Sequence, residues 1–509
     1  MSAHSQGNHD RVGRLLTHSD RAARLDLTAL ERRRLHQARQ SLSSMAESRR
    51  VYGVTHGFGP LVGYRADPDR ESQGLGLVSH LAVGQGPPLP PDVTRTMVWL
   101  RLRGMALGHS AVDPGIWQLL ADQWNAGFTP VVPQEGSLSA SGDLVPLAHA
   151  ALAAAGDPHG QEAWRNEGGR WVRGSAGDVL RSLDVEPVRW EARSALAFVN
   201  GSSACLARAL HTHREATALI RAAAAVTGRT VALLGTSREP YEDALSRVRN
   251  QPGQRRVAGW IRRELAAGVS PGPGRPLQER YSLRCAPQVL GAVLDQLDLQ
   301  ERVLLDEAAG CTDNPVLVDG ELLHGGNFHA APVGFASEAH ASCLHQVAYL
   351  LERQLALVLD PSANGGLPPL LTPRPGADSG FAGVQIAATS HLARLRQLAH
   401  PASFTAVPTN LNNQDHVPMA LNSANAVAAM TDRAWWILGS LLLAVNQLAH
   451  LTSGPPGEGL WEELRTCFPA LDRDRPLATE VTAAAEAART RFLALPSPEA
   501  DAAPVPAMG

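Results

Sequence analysis

The chain has 509 residues, 44% apolar and 19% charged, with 46 basic against 49 acidic side chains and a formal net charge of −3. Every basic residue is arginine, because lysine does not occur in the sequence. That excludes catalysis through a lysine Schiff base, with or without pyridoxal phosphate, and it excludes lysine-dependent phosphate loops and kinase-type phosphoryl transfer. The balanced charge offers no basic field for nucleic acid or an anionic membrane, so neither is expected as a partner.

A chain of this length calls for more than one structural unit. The expected division is a flexible N-terminal arm over 1–24, an N-terminal domain over 25–198, a central helical bundle over 199–455, and a C-terminal helical segment with a disordered Ala/Pro tail over 456–509. The start of the chain is polar and has no apolar signal core, and the longest largely apolar run, 434–445, falls short of the ~18 residues a membrane span needs, so a soluble, cytoplasmic protein is expected. Apolar residues recur at helical spacing over 25–50 (Leu27, Leu30, Leu35, Leu42, Met45). The glycine-punctuated stretch 52–60 then predicts a loop. Further helices are predicted over 93–107, 115–125, 195–234, 287–309, 336–359, 384–398 and 424–451, several of them apolar on more than one face, which predicts a buried bundle. Gly/Pro-rich stretches at 268–276 and 364–377 predict loops, and strand-like alternation is sparse. Cys205, Cys285, Cys311, Cys343 and Cys467 are odd in number and scattered, which predicts free buried thiols with neither a disulfide framework nor a metal site.

The segment Gly136-Ser-Leu-Ser-Ala140-Ser141-Gly142-Asp143-Leu-Val-Pro146 reads in two ways. As local structure, Ser141-Gly142-Asp143 is a turn feeding a helix, with Asp143 suited to cap it. As chemistry, attack of the Gly142 nitrogen on the Ala140 carbonyl, with loss of two waters, closes the backbone into a methylidene-imidazolone whose exocyclic methylene comes from Ser141. Glycine leaves the attacking nitrogen uncrowded and tolerates the strained backbone. The product is an electrophile made from the chain itself.

Seven stretches in one order make a resemblance: Val51-Tyr-Gly-Val-Thr-His-Gly-Phe-Gly59, Ser139-Ala-Ser-Gly-Asp-Leu144, Phe198-Val-Asn-Gly201, Tyr281-Ser-Leu-Arg-Cys-Ala-Pro-Gln288, Thr312-Asp-Asn-Pro315, Gly325-Gly-Asn-Phe-His329 and Asn413-Gln-Asp-His416. From about Tyr52 to Pro476 the sequence resembles the aromatic amino acid lyases, that is, the histidine, phenylalanine and tyrosine ammonia-lyases and their aminomutase relatives. The resemblance implies a mainly α, long-helix bundle of the fumarase/aspartase-like type. It also implies a homotetramer in which each active site draws on three subunits, and the methylidene-imidazolone formed from Ala140, Ser141 and Gly142, with no external cofactor and no metal. It assigns Tyr52 as the catalytic base that removes a β-proton and Tyr281 as a second catalytic tyrosine. A free phenol titrates near 10, so Tyr52 needs positive potential, such as helix N-termini, to act as a phenolate. Arg284 matches the residue that clamps the substrate carboxylate with its planar fork of donors. Asn200 matches the contact to the imidazolone and substrate amine, Asn410, Asn413 and Gln414 match polar contacts around the carboxylate, and Phe328 and Gly59 match pocket walls.

Selectivity follows from the same resemblance. Registered on Gly84-Gln-Gly86, His80-Leu81 falls where tyrosine lyases carry His-Leu and phenylalanine lyases carry Phe-Leu, while histidine lyases place their histidine at the position of Leu81. Gln414 stands where histidine lyases resemble one another in carrying glutamate, which favours a neutral aromatic ring over an imidazole. His56 and Pro418 depart from the usual pattern, and His329 and Asp415-His416 are more like histidine lyases. Asn413-Gln-Asp-His-Val-Pro-Met-Ala-Leu421 and Leu323-His-Gly-Gly-Asn-Phe-His-Ala330 are shared with actinobacterial tyrosine ammonia-lyases of specialised metabolism. The expected reaction is deamination of L-tyrosine to trans-p-coumarate and ammonia. A tyrosine 2,3-aminomutase making β-tyrosine would use the same residues and differ in loop closure and product release. Histidine or phenylalanine ammonia-lyase activity, or an inactive homologue acting as a binding protein, are further alternatives. Intact Ala140-Ser141-Gly142, Tyr52 and Arg284 stand against the last of these.

Overall fold

In the computed structural model, residues 11–21, 24–156, 161–265, 271–272, 274–452 and 457–495 are described. The fold is mainly helical, as expected from the apolar periodicity. Its frame is a set of long helices, Ser203–Leu234, Ala286–Ala309, Ala331–Leu359, Ala382–Leu398 and Ala420–Thr452, joined by a flanking helix, Ala478–Ala494. Leu219, Leu294, Leu351, Trp435 and Leu441 meet in the main core, each no more than 1% exposed. Apolar side chains around the whole circumference of Ala420–Thr452 make it long and apolar enough to cross a membrane, and 78% of its most apolar window is buried against neighbouring helices.

A second core is built by Arg70–Leu81, Pro91–Ala106, Pro114–Asn125, Leu144–Ala154 and Ala192–Val199. It also takes in Ala204, Cys205 and Leu206, Ala330 and Val333, and Ala420 and Leu421. Three of the long helices therefore start inside this second core and run on into the first. The seam between the cores lies where those helices begin.

Several elements differ from the sequence reading. Residues 11–21, expected as part of a flexible arm, form the helix Arg11–Arg21, with Val12 and Leu16 buried and Ser19 Oγ bonded to Thr96 Oγ1 at 2.9 Å. A single turn's worth of apolar contacts suffices to dock it, too little to stand out as periodicity. The helix expected over 195–234 is two helices, Ala192–Val199 and Ser203–Leu234, parted at Asn200–Ser202. Strands are few but present, as a pairing of Gln85–Pro88 with Pro133–Glu135, a three-stranded antiparallel sheet of Thr129–Pro130, Glu162–Glu167 and Arg170–Ser175, and a hairpin of Val316–Val318 with Glu321–Leu323. Residues 268–270 and 273 of the stretch 268–276, and the tail beyond 495, lie outside the described residues. The five cysteines are free, but Cys467 is exposed and Cys285 and Cys311 only half-buried, so the expectation of burial holds for Cys205 and Cys343 alone.

The main core also buries a histidine pair. His340 Nδ1 donates to the Ala336 carbonyl at 2.5 Å, which leaves its Nε2 to accept from His213 Nδ1 at 3.0 Å. Burial pushes His340 down to about 4 from 6.5 and holds His213 well below its ordinary value, His340 adding to the effect. The unfolded chain thus binds these protons more readily, so the stability the neutral pair confers is full above pH 6.5 and is lost as pH falls toward about 4. The slope approaches ~1.4 kcal/mol per pH unit for each proton taken up. Urea unfolding from neutral pH down to pH about 4 should therefore show a steep acid loss in the wild type and a shallower one in His340→Phe.

Candidate active site

The Ala140-Ser141-Gly142 segment sits on the seam between the two cores, held on every side. The backbones of Ala140 and Gly142 already pair with each other in an isolated bridge. Gly142 has φ +71°, and a Cβ there would lie 2.3 Å from the Gly201 nitrogen, so no other residue fits without moving the chain. Asn200 Nδ2 donates to the Ser141 carbonyl at 2.7 Å, and Gln414 Nε2 donates to Ser141 Oγ at 2.8 Å. Asn200 Oδ1 is buried and has no partner. These features fit a backbone cyclised at this tripeptide: the two reacting residues are juxtaposed, and an acceptor beside them is left open.

Asp143 is the anchor of the segment, in a role the sequence reading did not give it. It precedes Leu144–Ala154 but makes no side-chain cap to that helix. Its carboxylate instead accepts from Ser139 Oγ at 2.7 Å, Ser137 Oγ at 3.0 Å and the Cys205 N–H at 2.7 Å, in the first turn of Ser203–Leu234. Its own N–H donates to the Gly201 carbonyl at 2.7 Å. Burial pushes the Asp143 carboxyl above its ordinary range, while the Cys205 N–H and the two serine hydroxyls pull it back.

Two more helix starts close on the same place. The Ala330 N–H, at the start of Ala331–Leu359, donates to the Ser139 carbonyl at 3.2 Å. The Leu421 N–H, in the first turn of Ala420–Thr452, donates to Ser139 Oγ at 3.1 Å, and the Met419 N–H donates to the Leu138 carbonyl at 3.0 Å. With Leu144–Ala154 and Ser203–Leu234, four helix N-termini meet at the residues that flank the tripeptide, Leu138, Ser139 and Asp143, and their dipoles sum to a positive potential there.

Behind this, a buried ion cluster fixes Asn200 and Gly201. Asp313 lies between two arginines, with Arg193 Nη2 at 2.6 Å and Arg101 Nη2 at 3.9 Å, all three no more than 3% exposed. Arg101 Nε also donates to the Ala197 carbonyl at 2.8 Å, and Arg193 Nε to the Ser110 carbonyl at 2.6 Å. A Cβ on Gly201 would meet Arg101 Nη1 at 2.0 Å, so the cluster and the glycine interlock. Sequence reasoning quoted Thr312-Asp-Asn-Pro315 without finding this role for Asp313. The available signal was two arginines, Arg101 and Arg193, within apolar helical runs.

Tyr52 lies in the loop after Ala29–Ser48, against the second core. Its hydroxyl accepts from the Gly59 N–H at 2.8 Å, its own N–H donates to His324 Nε2 at 3.3 Å, and Phe58 packs edge-on at 6.2 Å between ring centroids. Burial raises its phenol above the ordinary value, opposed by the Gly59 N–H and Arg193 and reinforced by Asp313. Within one protomer, burial is thus the largest influence on the Tyr52 phenol. His56, the departure in this loop, has Nδ1 2.9 Å from Thr55 Oγ1.

His80 and Leu81 end Arg70–Leu81, which packs on Leu144–Ala154 and Ala192–Val199. His80, on the exposed end of this helix, has Nδ1 3.0 Å from the Gly76 carbonyl, and since a carbonyl can only accept, Nδ1 is the donor, the tautomer in which Nε2 is the ring's acceptor. Phe328 is half-buried two residues before Ala330. Asn410 and Asn413 lie on the turn that carries Gln414, closed by the Asn413 N–H to the Asn410 carbonyl at 3.0 Å, with Asn410, Leu411 and Asn412 all at positive φ. His329 and His416 pack together with ring centroids 5.3 Å apart and their planes tilted by 39°.

Tyr281 and Arg284 are not brought to the others within one protomer. They form the four-residue helix Tyr281–Arg284, whose Ser282 carbonyl accepts from Gln354 Nε2 at 2.9 Å. Gln354 lies 24 residues beyond Ala330 along one helix, and at 1.5 Å per residue that is ~36 Å from the Ser139 contact. Arg284 stacks on Tyr281 at 4.7 Å, and its Nε is buried without a partner.

A seam of helix N-termini around an Ala-Ser-Gly segment, set on a long-helix bundle, defines a class of fold that known structures share. The tyrosine aminomutase from Streptomyces globisporus is 31% identical over 95% of this chain and 96% of its own, with a TM-score of 0.86. The histidine ammonia-lyase from Trypanosoma cruzi is 26% identical over 95% and 92% (TM-score 0.83), and the phenylalanine ammonia-lyase from the yeast Rhodosporidium toruloides is 25% identical over 95% and 82% (TM-score 0.77). Residues 11–466 match the family model described as aromatic amino acid lyase, and the chain belongs to that family. Its members use a methylidene-imidazolone electrophile without a metal. Among the described residues no cluster of three His, Cys, Asp or Glu side chains could hold a metal ion.

The ion cluster gives a direct test of this architecture. Asp313→Asn leaves two buried arginines without a counter-charge, and breaking a buried pair in this way costs ~3–5 kcal/mol. Urea titration should show that loss, and a variant as stable as wild type would mean that the cluster does not secure the seam.

Proposed function

We propose that the protein is a tyrosine ammonia-lyase, eliminating ammonia from L-tyrosine to give trans-p-coumarate, with the Ala140-Ser141-Gly142 methylidene-imidazolone as its prosthetic group and a homotetramer as its working form. The observation that carries the reading is the clamped Ser141 segment at the meeting of four helix N-termini. The cyclised segment supplies the electrophile that makes the amine a competent leaving group. The remaining work falls to side chains of the chain. Tyr52 removes the β-proton, its oxygen oriented by the Gly59 N–H. Asn200 Oδ1, buried and unpartnered, accepts from the substrate ammonium. Arg284 binds the carboxylate in a bidentate fork, with Asn410, Asn413 and Gln414 around it and Tyr281 assisting proton transfer. Leu81 and Phe328 wall the ring.

The homotetramer completes the site. With Gln354, which holds the turn bearing Arg284, ~36 Å along its helix from the Ser139 contact, carboxylate binding falls to a neighbouring subunit. Large apolar side chains are exposed on the single chain, among them Tyr64 (71%), Tyr281 (70%), Phe404 (78%) and Leu411 (86%), as expected of surfaces covered on assembly.

Tyrosine is favoured by the acceptor at His80 Nε2, which suits a phenol hydroxyl. Phenylalanine leaves that acceptor unpaired at ~1–3 kcal/mol, about 5- to 150-fold in kcat/KM. Gln414 in place of a carboxylate adds no charge that would favour an imidazole. A second reading, tyrosine 2,3-aminomutase, is supported by the 31% identity to the enzyme of that name from Streptomyces globisporus. It would use the same residues and return the ammonia to the β-carbon.

Purified protein given L-tyrosine should develop the near-ultraviolet absorbance of a coumarate. Its intact mass should fall about 36 Da below the sequence value, the loss of two waters. Ser141→Ala should restore the full sequence mass and abolish the absorbance. Product NMR showing β-tyrosine instead would replace the lyase by the mutase, and turnover of histidine but not tyrosine would overturn the substrate. His80→Phe should lower the tyrosine-to-phenylalanine ratio of kcat/KM by about 5- to 150-fold, and an unchanged ratio would assign His80 a structural role.

A further inference from the structure

The four-residue turn that carries Arg284 leads through Cys285 into Ala286–Ala309 and is closed by the Arg284 N–H to the Arg280 carbonyl at 3.2 Å and the Cys285 N–H to the Tyr281 carbonyl at 2.9 Å. Two buried side chains from elsewhere in the bundle grip its backbone. Tyr241 Oη donates to the Leu283 carbonyl at 2.9 Å, and Gln354 Nε2 donates to the Ser282 carbonyl at 2.9 Å. Tyr241 is 1% exposed and Gln354 is fully buried. Gln354 is itself fixed by Thr227, whose hydroxyl lies 2.9 Å from Nε2 and 3.2 Å from Oε1, with Thr227 Oγ1 donating onward to the Ala223 carbonyl at 2.7 Å. Burial holds the Tyr241 phenol far above its ordinary value, so it remains a neutral donor at any working pH. On the outer side, Arg280 Nη2 reaches Asp360 Oδ2 and Ser362 Oγ, each at 3.0 Å.

We infer that Tyr241 and Gln354 are positioning residues for the carboxylate-binding Arg284, fixing the aim of its guanidinium by holding the two carbonyls that precede it. The inference rests on the reading of Arg284 as the carboxylate clamp. Leu283, whose side chain is fully buried in the main core, locks the turn from below. Tyr281 and Arg284 project from the turn and stack on each other at 4.7 Å. Arg284 Nε, buried and without a partner, is a donor still to be paired. A rigid backbone pre-aims a planar fork that must meet two carboxylate oxygens at once, and release of either carbonyl lets the fork swing.

The test compares binding of p-coumarate and of its carboxamide, p-coumaramide, to the assembled enzyme by calorimetry. Wild type should prefer the carboxylate, and Arg284→Met should abolish that preference. Tyr241→Phe, which keeps the ring and loses only the donor, should raise the Kd for p-coumarate about 2- to 12-fold while leaving that for p-coumaramide unchanged. The same variant should raise KM for tyrosine with kcat much less affected. In the Arg284→Met background Tyr241→Phe should add nothing. Gln354→Leu should act in the same direction, and if it does not fold the phenylalanine variant decides alone. Equal weakening of both ligands, or no change in either, overturns the positioning role. If wild type shows no preference for the carboxylate, the assignment of Arg284 fails first and the inference with it.

Discussion

A single buried carboxylate ties the molecule together. Asp143 gathers two serine hydroxyls from the chain before it and an N–H from the start of the longest N-terminal bundle helix, while its own N–H takes the Gly201 carbonyl. These bonds weld the segment that precedes Leu144–Ala154 to the break between Ala192–Val199 and Ser203–Leu234. Three long helices pass from one hydrophobic core to the other, and the weld fixes the chain break at the start of one of them. A carboxylate so placed is costly to bury, and its three donors with the surrounding helix starts offset the cost. Where a helix N-terminus meets an anion the dipole is usually satisfied by it. Here four N-termini exceed what one carboxylate can balance, and the surplus positive potential falls on Ser141 and its neighbours.

The second support is the choice of arginine. Arg101 and Arg193 share Asp313 and spread their remaining donors over backbone carbonyls of three separate segments. A planar fork of five donors can do this, whereas an ammonium of three donors on a flexible stem would leave some of those carbonyls unpaired. The sequence that excludes lysine chemistry thus also builds its interior with a residue suited to bridging backbone. In the proposed mechanism Arg284 handles the substrate carboxylate by the same property.

Much of this was legible in the sequence, and the gaps have physical reasons. The long helices stood out because their apolar residues recur over many turns. The break at Asn200–Ser202 did not, because apolar residues continue on both sides and the groups packed against it, Arg101 and Asp143, are remote in sequence. The docking of Arg11–Arg21 rests on few buried residues and a contact to Glu301 some 290 positions away, which no local pattern can reveal. Among the motif residues, Asn200 and Gln414 meet Ser141, and Gly59 meets Tyr52. Asp143 was read as a local cap because a turn followed by a helix predicts one, and tertiary partners won instead. Tyr281 and Arg284 carried a strong motif, yet their turn packs against Gln354, toward the far end of Ala331–Leu359, because a motif names residues without fixing how far apart one chain holds them.

That separation turns Ala331–Leu359 into a ruler. One end is fastened to the Ser139 segment and the other to the turn bearing Arg284, so a single rigid rod sets the spacing between parts of two different catalytic centres in the proposed tetramer. Inserting or deleting one residue anywhere along it would rotate one end by about 100° against the other and shift it by ~1.5 Å. No remote stretch of this helix is therefore neutral ground. Its length is constrained as tightly as the identity of any residue that touches the substrate.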